Sequence, residues 1–156
     1  MEFKELLAAF AAKYGIKGLD GTDGAAELDV DGVRVELLND PQAHSLLACA
    51  EIGHPPPDAN GAFGTMMLQA NFLLRGTEGA TLCQNPETHA YALVRPFPLA
   101  LTEVESLAAG LESLVNQTEN WRKVLSSLHH AESAQSTVTE SDDSHHAMLS
   151  SGFFHV

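Results

Sequence analysis

The first segment of the chain carries its apolar residues at the spacing of one helix face. Positions i, i+3, i+4, i+7, i+8 and i+11 hold Phe3, Leu6, Leu7, Phe10, Ala11 and Tyr14. Residues at this spacing lie on one stripe of an α-helix. Gly15 follows, where a residue in the left-handed region commonly ends a helix. The pattern predicts an amphipathic first helix.

The period changes to two between residues 26 and 37, as in half-buried β-strands. Asp31-Gly32 interrupts the alternation and is a preferred pair for a two-residue type I′ turn. Such a turn pairs large apolar residues across the strands, Val30 with Val33 and Leu28 with Val35. It also brings Asp29 opposite Arg34, an opposite-charge cross-strand pair on the other face. We predict a β-hairpin in this register.

A third strand is predicted from about Ser45 to Ile52, after the turn sequence Asn39-Asp40-Pro41. The alternation along this strand places Leu46, Ala48, Ala50 and Ile52 on one face and Leu47 and Cys49 on the other.

Residues 80–84 and 89–97 predict a second hairpin, joined by the turn sequence Asn85-Pro86-Glu87-Thr88. Pro96 and Pro98 end it and indicate an edge position, because proline cannot donate a hydrogen bond to a neighbouring strand.

The triple proline at residues 55–57 separates the third strand from a second helix, predicted over residues 62–74. One stripe of this helix holds Phe63, Met67, Ala70 and Leu74, while other sides hold Met66, Phe72 and Leu73. A helix that is apolar on more than one face is either deeply buried or shared with a second subunit. In a chain this small, we favour the second subunit.

The last helix begins at a capping box, with Thr102 as N-cap and Glu105 three residues later. Its apolar positions continue to about Leu128. The predicted order is therefore α-β-β-β-α-β-β-α, an α+β domain over residues 1–128 with a mostly antiparallel sheet.

Residues 129–156 differ in composition from everything before them. Ser, Thr, Asp and His dominate, and the segment contains neither Lys nor Arg. Such a segment buries too little apolar surface to offset its ordering entropy. We predict a flexible His/Ser/Asp-rich tail, whose apolar end at residues 152–156 is the one part suited to docking.

The charge balance restricts the partners. Asp and Glu number 21 against 8 for Lys and Arg, a formal net charge of −13. This charge disfavours a nucleic acid as a partner. It either favours a basic or unfolded client or serves solubility alone, and both alternatives stay open. The N-terminus lacks the pattern of a signal peptide, and no apolar run is long enough to span a bilayer. Cys49 and Cys83 are predicted to be free thiols of a cytoplasmic protein.

Residues that carry chemistry are few. The chain has no phosphate-binding glycine loop and no nucleophile elbow. Cys49 with His54, or Cys83 with His89, would be a thiol nucleophile with its base, but neither spacing is distinctive. We therefore predict no catalytic residue, no cofactor and no enzyme activity.

Histidine is the one enriched chemical group, and five of the eight lie in the tail, at positions 129, 130, 145, 146 and 155. Imidazoles, with Asp142 and Asp143 beside them, are possible metal ligands. A metal site needs ligands in fixed geometry, so adventitious binding is the favoured reading and a His-tail metal-binding protein is the weaker alternative.

Several segments resemble the Tir chaperone family, the class I type III secretion chaperones of bacteria. The similarity covers residues 3–128, in the family's order of elements. Its most specific part is Ala70-Asn71-Phe72-Leu73 followed by Gly79-Ala80-Thr81-Leu82. It also includes Leu6-Leu7-Ala8-Ala9-Phe10 with Gly15, the Asp31-Gly32 hairpin, Met67-Leu68-Gln69, and Trp121-Arg122.

The resemblance implies a cytoplasmic homodimer, without ATP, that keeps the N-terminal segment of a secreted effector extended and competent for export. By position, the implied effector-binding residues are Phe3, Leu6, Leu7, Phe10, Leu28, Val33 and Val35. The implied dimer interface holds Phe63, Met66, Met67, Ala70, Asn71, Phe72 and Leu74. The secretion ATPase is a further implied partner. An adaptor that sequesters a regulator of secretion genes would have the same fold, so that alternative stays open.

Overall fold

The computed structural model describes the backbone of residues 1–148, and the side chains of residues 1–131 except at positions 58 and 60. Eight helices and strands follow one another in the predicted order. They are α1 (Phe3–Tyr14), β1 (Ala25–Val30), β2 (Val33–Asp40), β3 (Ser45–Gly53), α2 (Asn60–Asn71), β4 (Thr81–Gln84), β5 (Tyr91–Pro98) and α3 (Val104–Met148). The strands form one antiparallel sheet in the order β1-β2-β3-β5-β4. The predicted α+β class is confirmed.

The first hairpin has the predicted register, with Val30 opposite Val33 and Leu28 opposite Val35. Asp31 and Gly32 have φ values of 52° and 81°, as a type I′ turn requires. Asp29 also lies opposite Arg34 as predicted, but these two residues do not form the ion pair. Arg34 forms its ion pair with Glu27, while Asp29 accepts a hydrogen bond from the Gly32 N–H at 3.0 Å. The Asp29 carboxylate thus stabilises the turn.

The second hairpin corrects one expectation. β5 lies between β3 and β4, so the strand as a whole is not at the edge. β4 pairs only with residues 91–94 of β5. Pro96 and Pro98 therefore lie where β5 has no neighbour on that side among the described residues, which is the condition under which a sheet accepts proline.

The second helix is shorter than predicted. α2 ends at Asn71, and residues 72–74 form a separate 3₁₀ turn. Leu73 and Leu74 have positive φ values of 57° and 54°, so the chain leaves the helix axis. Leu74 is thereby removed from the stripe of Phe63 and Met67.

The third helix begins and ends differently from its prediction. It begins at Val104, and the Glu103 N–H is bonded to the Ser106 hydroxyl at 2.9 Å. The predicted box is not formed, because Thr102 donates instead to the Pro98 carbonyl and Glu105 pairs with Lys13 of α1.

At its other end, α3 continues past Leu128 to Met148. No Gly or Pro interrupts residues 129–148, so composition does not force the helix to stop. His129 donates through Nε2 to the His54 carbonyl at 3.0 Å, which holds this turn of α3 against the end of β3. The division at residue 128 stays a prediction, and the apolar end at residues 152–156 lies outside the described residues.

The core lies between one face of the sheet and the helices. α3 contacts β3 and β5, and its backbone comes close to Phe97 of β5 at Gly110. A Cβ added there would lie 2.4 Å from Cε1 of Phe97, so glycine sets the distance between α3 and the sheet. We call the opposite face, which carries Arg34, Glu36 and Cys49, the outer face.

Candidate functional site

The seven side chains expected to contact an effector all lie in the core. Phe3, Leu6, Leu7, Phe10, Leu28, Val33 and Val35 are each at most 9 % exposed. They join the inner side of α1 to the inner side of the β1–β2 hairpin. Their role in effector binding stays a prediction, because an apolar helix face covered by the chain's own sheet looks the same in sequence as one kept for a partner.

The seven residues expected at a dimer interface divide into two groups. Phe63 and Met67 are buried, and the Phe63 ring packs edge-on against Tyr91 and Trp121. Ala70 is half-buried and lies against Gly76. Asn71 bonds to β4. The exposed members are Met66, Phe72 and Leu74.

Two exposed neighbours extend that group. Leu68 is 74 % exposed and Leu73 is 65 % exposed, beside Phe72 at 70 %. We call Met66, Leu68, Phe72, Leu73 and Leu74 the α2 apolar surface. Large exposed apolar side chains concentrated at one end of α2 are a candidate interaction surface. The sequence analysis put Leu73 on a different side of the helix from the Phe63 stripe and did not include Leu68 in the predicted interface, because it treated residues 62–74 as one unbroken helix.

Asn71 closes one edge of the sheet. Its side-chain amide donates to the Leu82 carbonyl at 3.0 Å, and its side-chain oxygen accepts the Leu82 N–H at 2.9 Å. These are the two bonds that a neighbouring strand would make with β4. The edge strand is therefore blunted at its centre, as proteins commonly do to prevent strand pairing.

The other edge of the sheet is open. The type I′ turn bonds Val30 to Val33, so bonded and non-bonded pairs alternate along the hairpin. In that alternation the backbone groups of Glu27 and Asp29 point away from β2. Within the described residues no strand pairs with them. β1 thus offers two N–H and two C=O groups to an added strand.

The outer face also holds a pocket of about 730 Å³. Its floor crosses β3, β5 and β4 at Cys49, Ala92 and Cys83. One wall is the loop after β4, which is held by Asn85 Oδ1 accepting the Glu87 N–H at 2.8 Å. Arg122 of α3 also lines the pocket.

The two thiols on this floor are free. They lie on the two strands that flank β5, opposite Val94 and Ala92. Two strand spacings and an offset of two residues put their Cα atoms about 12 Å apart, which exceeds the reach of a disulfide. Burial raises the pKa of Cys49 to about 11, and it raises the pKa of Cys83 as well. A thiol with a raised pKa is a poor nucleophile.

The candidate thiol–imidazole pairs are not assembled. His54 donates through Nε2 to the Thr88 carbonyl at 3.0 Å, and Cys83 donates to the Ala92 carbonyl at 3.6 Å. Among the described side chains, which are those of residues 1–131 without positions 58 and 60, no group of three His, Cys, Asp or Glu is placed to hold a metal ion. No described helix is long and apolar enough to cross a membrane.

The fold is similar to chains of several solved complexes. One belongs to the HopA1–SchA chaperone–effector complex, with a TM-score of 0.67 and 20 % identity, covering 78 % of this chain and 93 % of the other. Another belongs to the ExsC–ExsE complex, with a TM-score of 0.65 and 24 % identity, covering 80 % of this chain and 97 % of the other. A third belongs to the complex of the Yersinia pestis type III secretion chaperone SycH with a fragment of YscM2. Its TM-score is 0.61 at 18 % identity, and the match covers 76 % of this chain and 98 % of the other.

These likenesses establish a type III secretion chaperone fold. A family model places the chain more narrowly, because the Tir chaperone protein (CesT) family matches residues 5–122. The chain belongs to this family, and the predicted resemblance is confirmed. Comparison with the curated proteins finds no significant match.

Proposed function

We propose that this chain is a cytoplasmic, dimeric type III secretion chaperone that binds the N-terminal segment of an effector in extended form. Membership of a chaperone family supports the role. The related HopA1–SchA structure is a chaperone–effector complex, which supports an effector as the client. The α2 apolar surface supports the dimer, because burying it against a second copy would remove it from water.

The observation that carries the proposal is the asymmetry of the two sheet edges. β4 is closed at Leu82 by Asn71, whereas β1 is open at Glu27 and Asp29. An unfolded client has free backbone groups, and an added strand satisfies them without requiring a particular sequence. The open edge of β1 is thus proposed as a place for the client in addition to the predicted residues of α1 and the first hairpin.

Proline at position 27 tests strand addition. Glu27→Pro removes an outward N–H while leaving the bonds of β1 to β2 in place, since proline is tolerated at an edge. The variant should fold and bind the effector segment at least about tenfold more weakly, the loss of one or two backbone hydrogen bonds. Calorimetric titration with the co-purified effector's N-terminal segment measures this.

The matched control is Glu27→Ala, which removes the same side chain and its ion pair with Arg34 but keeps the N–H. It should bind as the original chain does. Equal loss in both variants would mean that the side chain, and not the open edge, holds the client. Mass spectrometry of what co-purifies from the native bacterium also separates an effector from a regulator, which an adaptor would bind. Contact with the secretion ATPase stays a prediction.

A further inference from the structure

The outer-face pocket has a floor suited to an apolar side chain. Cys49 and Cys83 contribute protonated sulfur, a weakly polar and polarisable surface, and Ala92 between them is buried. The volume of about 730 Å³ exceeds that of one side chain and lies in the range of roughly 300–1,000 Å³ typical of ligand pockets. The floor therefore has room for a short peptide segment.

The rim of the pocket is acidic. Glu36, Glu51 and Glu87 line it, together with Arg34 and Arg122. The Arg34 guanidinium already pairs with Glu27, which does not line the pocket, so its charge is compensated from outside. Three carboxylates then face one uncompensated guanidinium, and the whole chain carries a net charge of −13. A cationic occupant is complementary to this rim.

Arg122, which lines the pocket, is held by the backbone of β3. Its Nε and Nη2 both donate to the Glu51 carbonyl, at 3.1 and 2.7 Å. The guanidinium is thus directed at backbone and pairs with none of the three rim carboxylates within salt-bridge distance. The carboxylates are left available to an incoming Lys or Arg.

We propose that this pocket binds a basic segment of the client, with an apolar side chain on the thiol floor and adjacent Lys or Arg side chains at the carboxylate rim. The inference rests on the proposed function and adds what the client must carry. A strand added to β1 lies three strand spacings from β3, or about 14 Å, which about five extended residues span. The basic segment therefore follows or precedes the added strand closely.

Alkylation of the pocket thiols tests the proposal directly, since Cys49 and Cys83 are the only cysteines of the chain. The probes are two synthetic decapeptides that differ only at their centre, Lys-Leu-Lys in one and Glu-Leu-Glu in the other. In excess, the basic peptide should slow N-ethylmaleimide labelling of both thiols several-fold, as read by mass spectrometry. The acidic peptide should not, and the protection should weaken with added salt.

Charge variants provide the control. Glu36, Glu51 and Glu87 are exposed, so replacing all three with Gln should leave the fold intact and abolish the protection. The triple variant Glu103→Gln, Glu112→Gln and Glu119→Gln removes the same charge from exposed positions on and just before α3, and it should keep the protection.

Three outcomes overturn the proposal. Equal protection by both peptides would show that the rim does not select charge, and equal loss in both triple variants would show that only total charge matters. Unprotected thiols in a chain that still holds its effector segment would exclude the pocket and leave the proposed function standing. A chain that binds no effector segment at all would contradict the proposed function itself.

Discussion

Gly110 shows how a single missing side chain sets the distance between α3 and the sheet. A Cβ at this position would lie 2.4 and 2.6 Å from Cε1 and Cζ of Phe97, well inside van der Waals contact. Phe97 is buried and its ring also lies beneath the Arg95 guanidinium, 5.6 Å from the ring centre. The ring therefore has little room to move away.

We expect Gly110→Ala to lower the free energy of unfolding by about 1–3 kcal/mol, the usual cost of overpacking a core. Alanine's better helix propensity offsets less than about 1 kcal/mol of that loss. Urea unfolding at fixed protein concentration measures the change. Gly61→Ala in α2 is the control, because nothing lies within 4 Å of the added Cβ, and it should be neutral or slightly stabilising. A Gly110→Ala chain as stable as the original would refute this account of α3 packing.

Single residues also mark where sequence reasoning succeeds and fails. The Asp31-Gly32 turn is local, so its type and the register of the hairpin follow from two residues and the alternation around them. The partner of Arg34 does not follow, because Glu27 and Asp29 lie on the same face and only the full geometry decides between them. For Phe3 and Leu6, periodicity predicts the buried face but not whether the chain or a client covers it.

At the scale of elements, helix ends were the weakest predictions. α2 stops at Asn71 because the Asn71 amide is bonded to β4 and the following leucines adopt positive φ. Neither cause is local to the helix pattern. α3 continues past Leu128. The composition changes there, but the segment that follows contains no residue that terminates a helix. The order of elements, by contrast, follows from periodicity, which changes clearly at each boundary.

Asn71 gives the element-scale prediction. Asn71→Ala leaves the Leu82 N–H and C=O unpaired at a partly buried edge, at a cost of about 1–3 kcal/mol. Asn71→Asp keeps the acceptor for the N–H but loses the donor to the carbonyl, so its hydrogen exchange at Leu82 should be intermediate. Amide exchange followed by NMR measures both. A Leu82 amide that is protected equally in Asn71→Ala would show that something other than the side chain closes β4.

The whole molecule combines a complete core with exposed apolar surface at one end of α2. Leu68, Phe72 and Leu73 are each more than half exposed. Two of these leave the helix through a 3₁₀ turn with left-handed leucines, a backbone cost that persists only where other interactions maintain it. We expect a second copy seated on this surface to supply those interactions.

The measurement that tests the account most directly is the mass in solution, by light scattering, of the chain alone and with its effector segment. The free chain should have twice the mass of 16.7 kDa, and the complex should hold two copies with one extended client. Phe72→Asp should give a folded monomer, because Phe72 is exposed, whereas Phe63→Asp should unfold the chain by placing a charge in the core. A monomeric original chain, or one that holds no effector segment, would contradict the account.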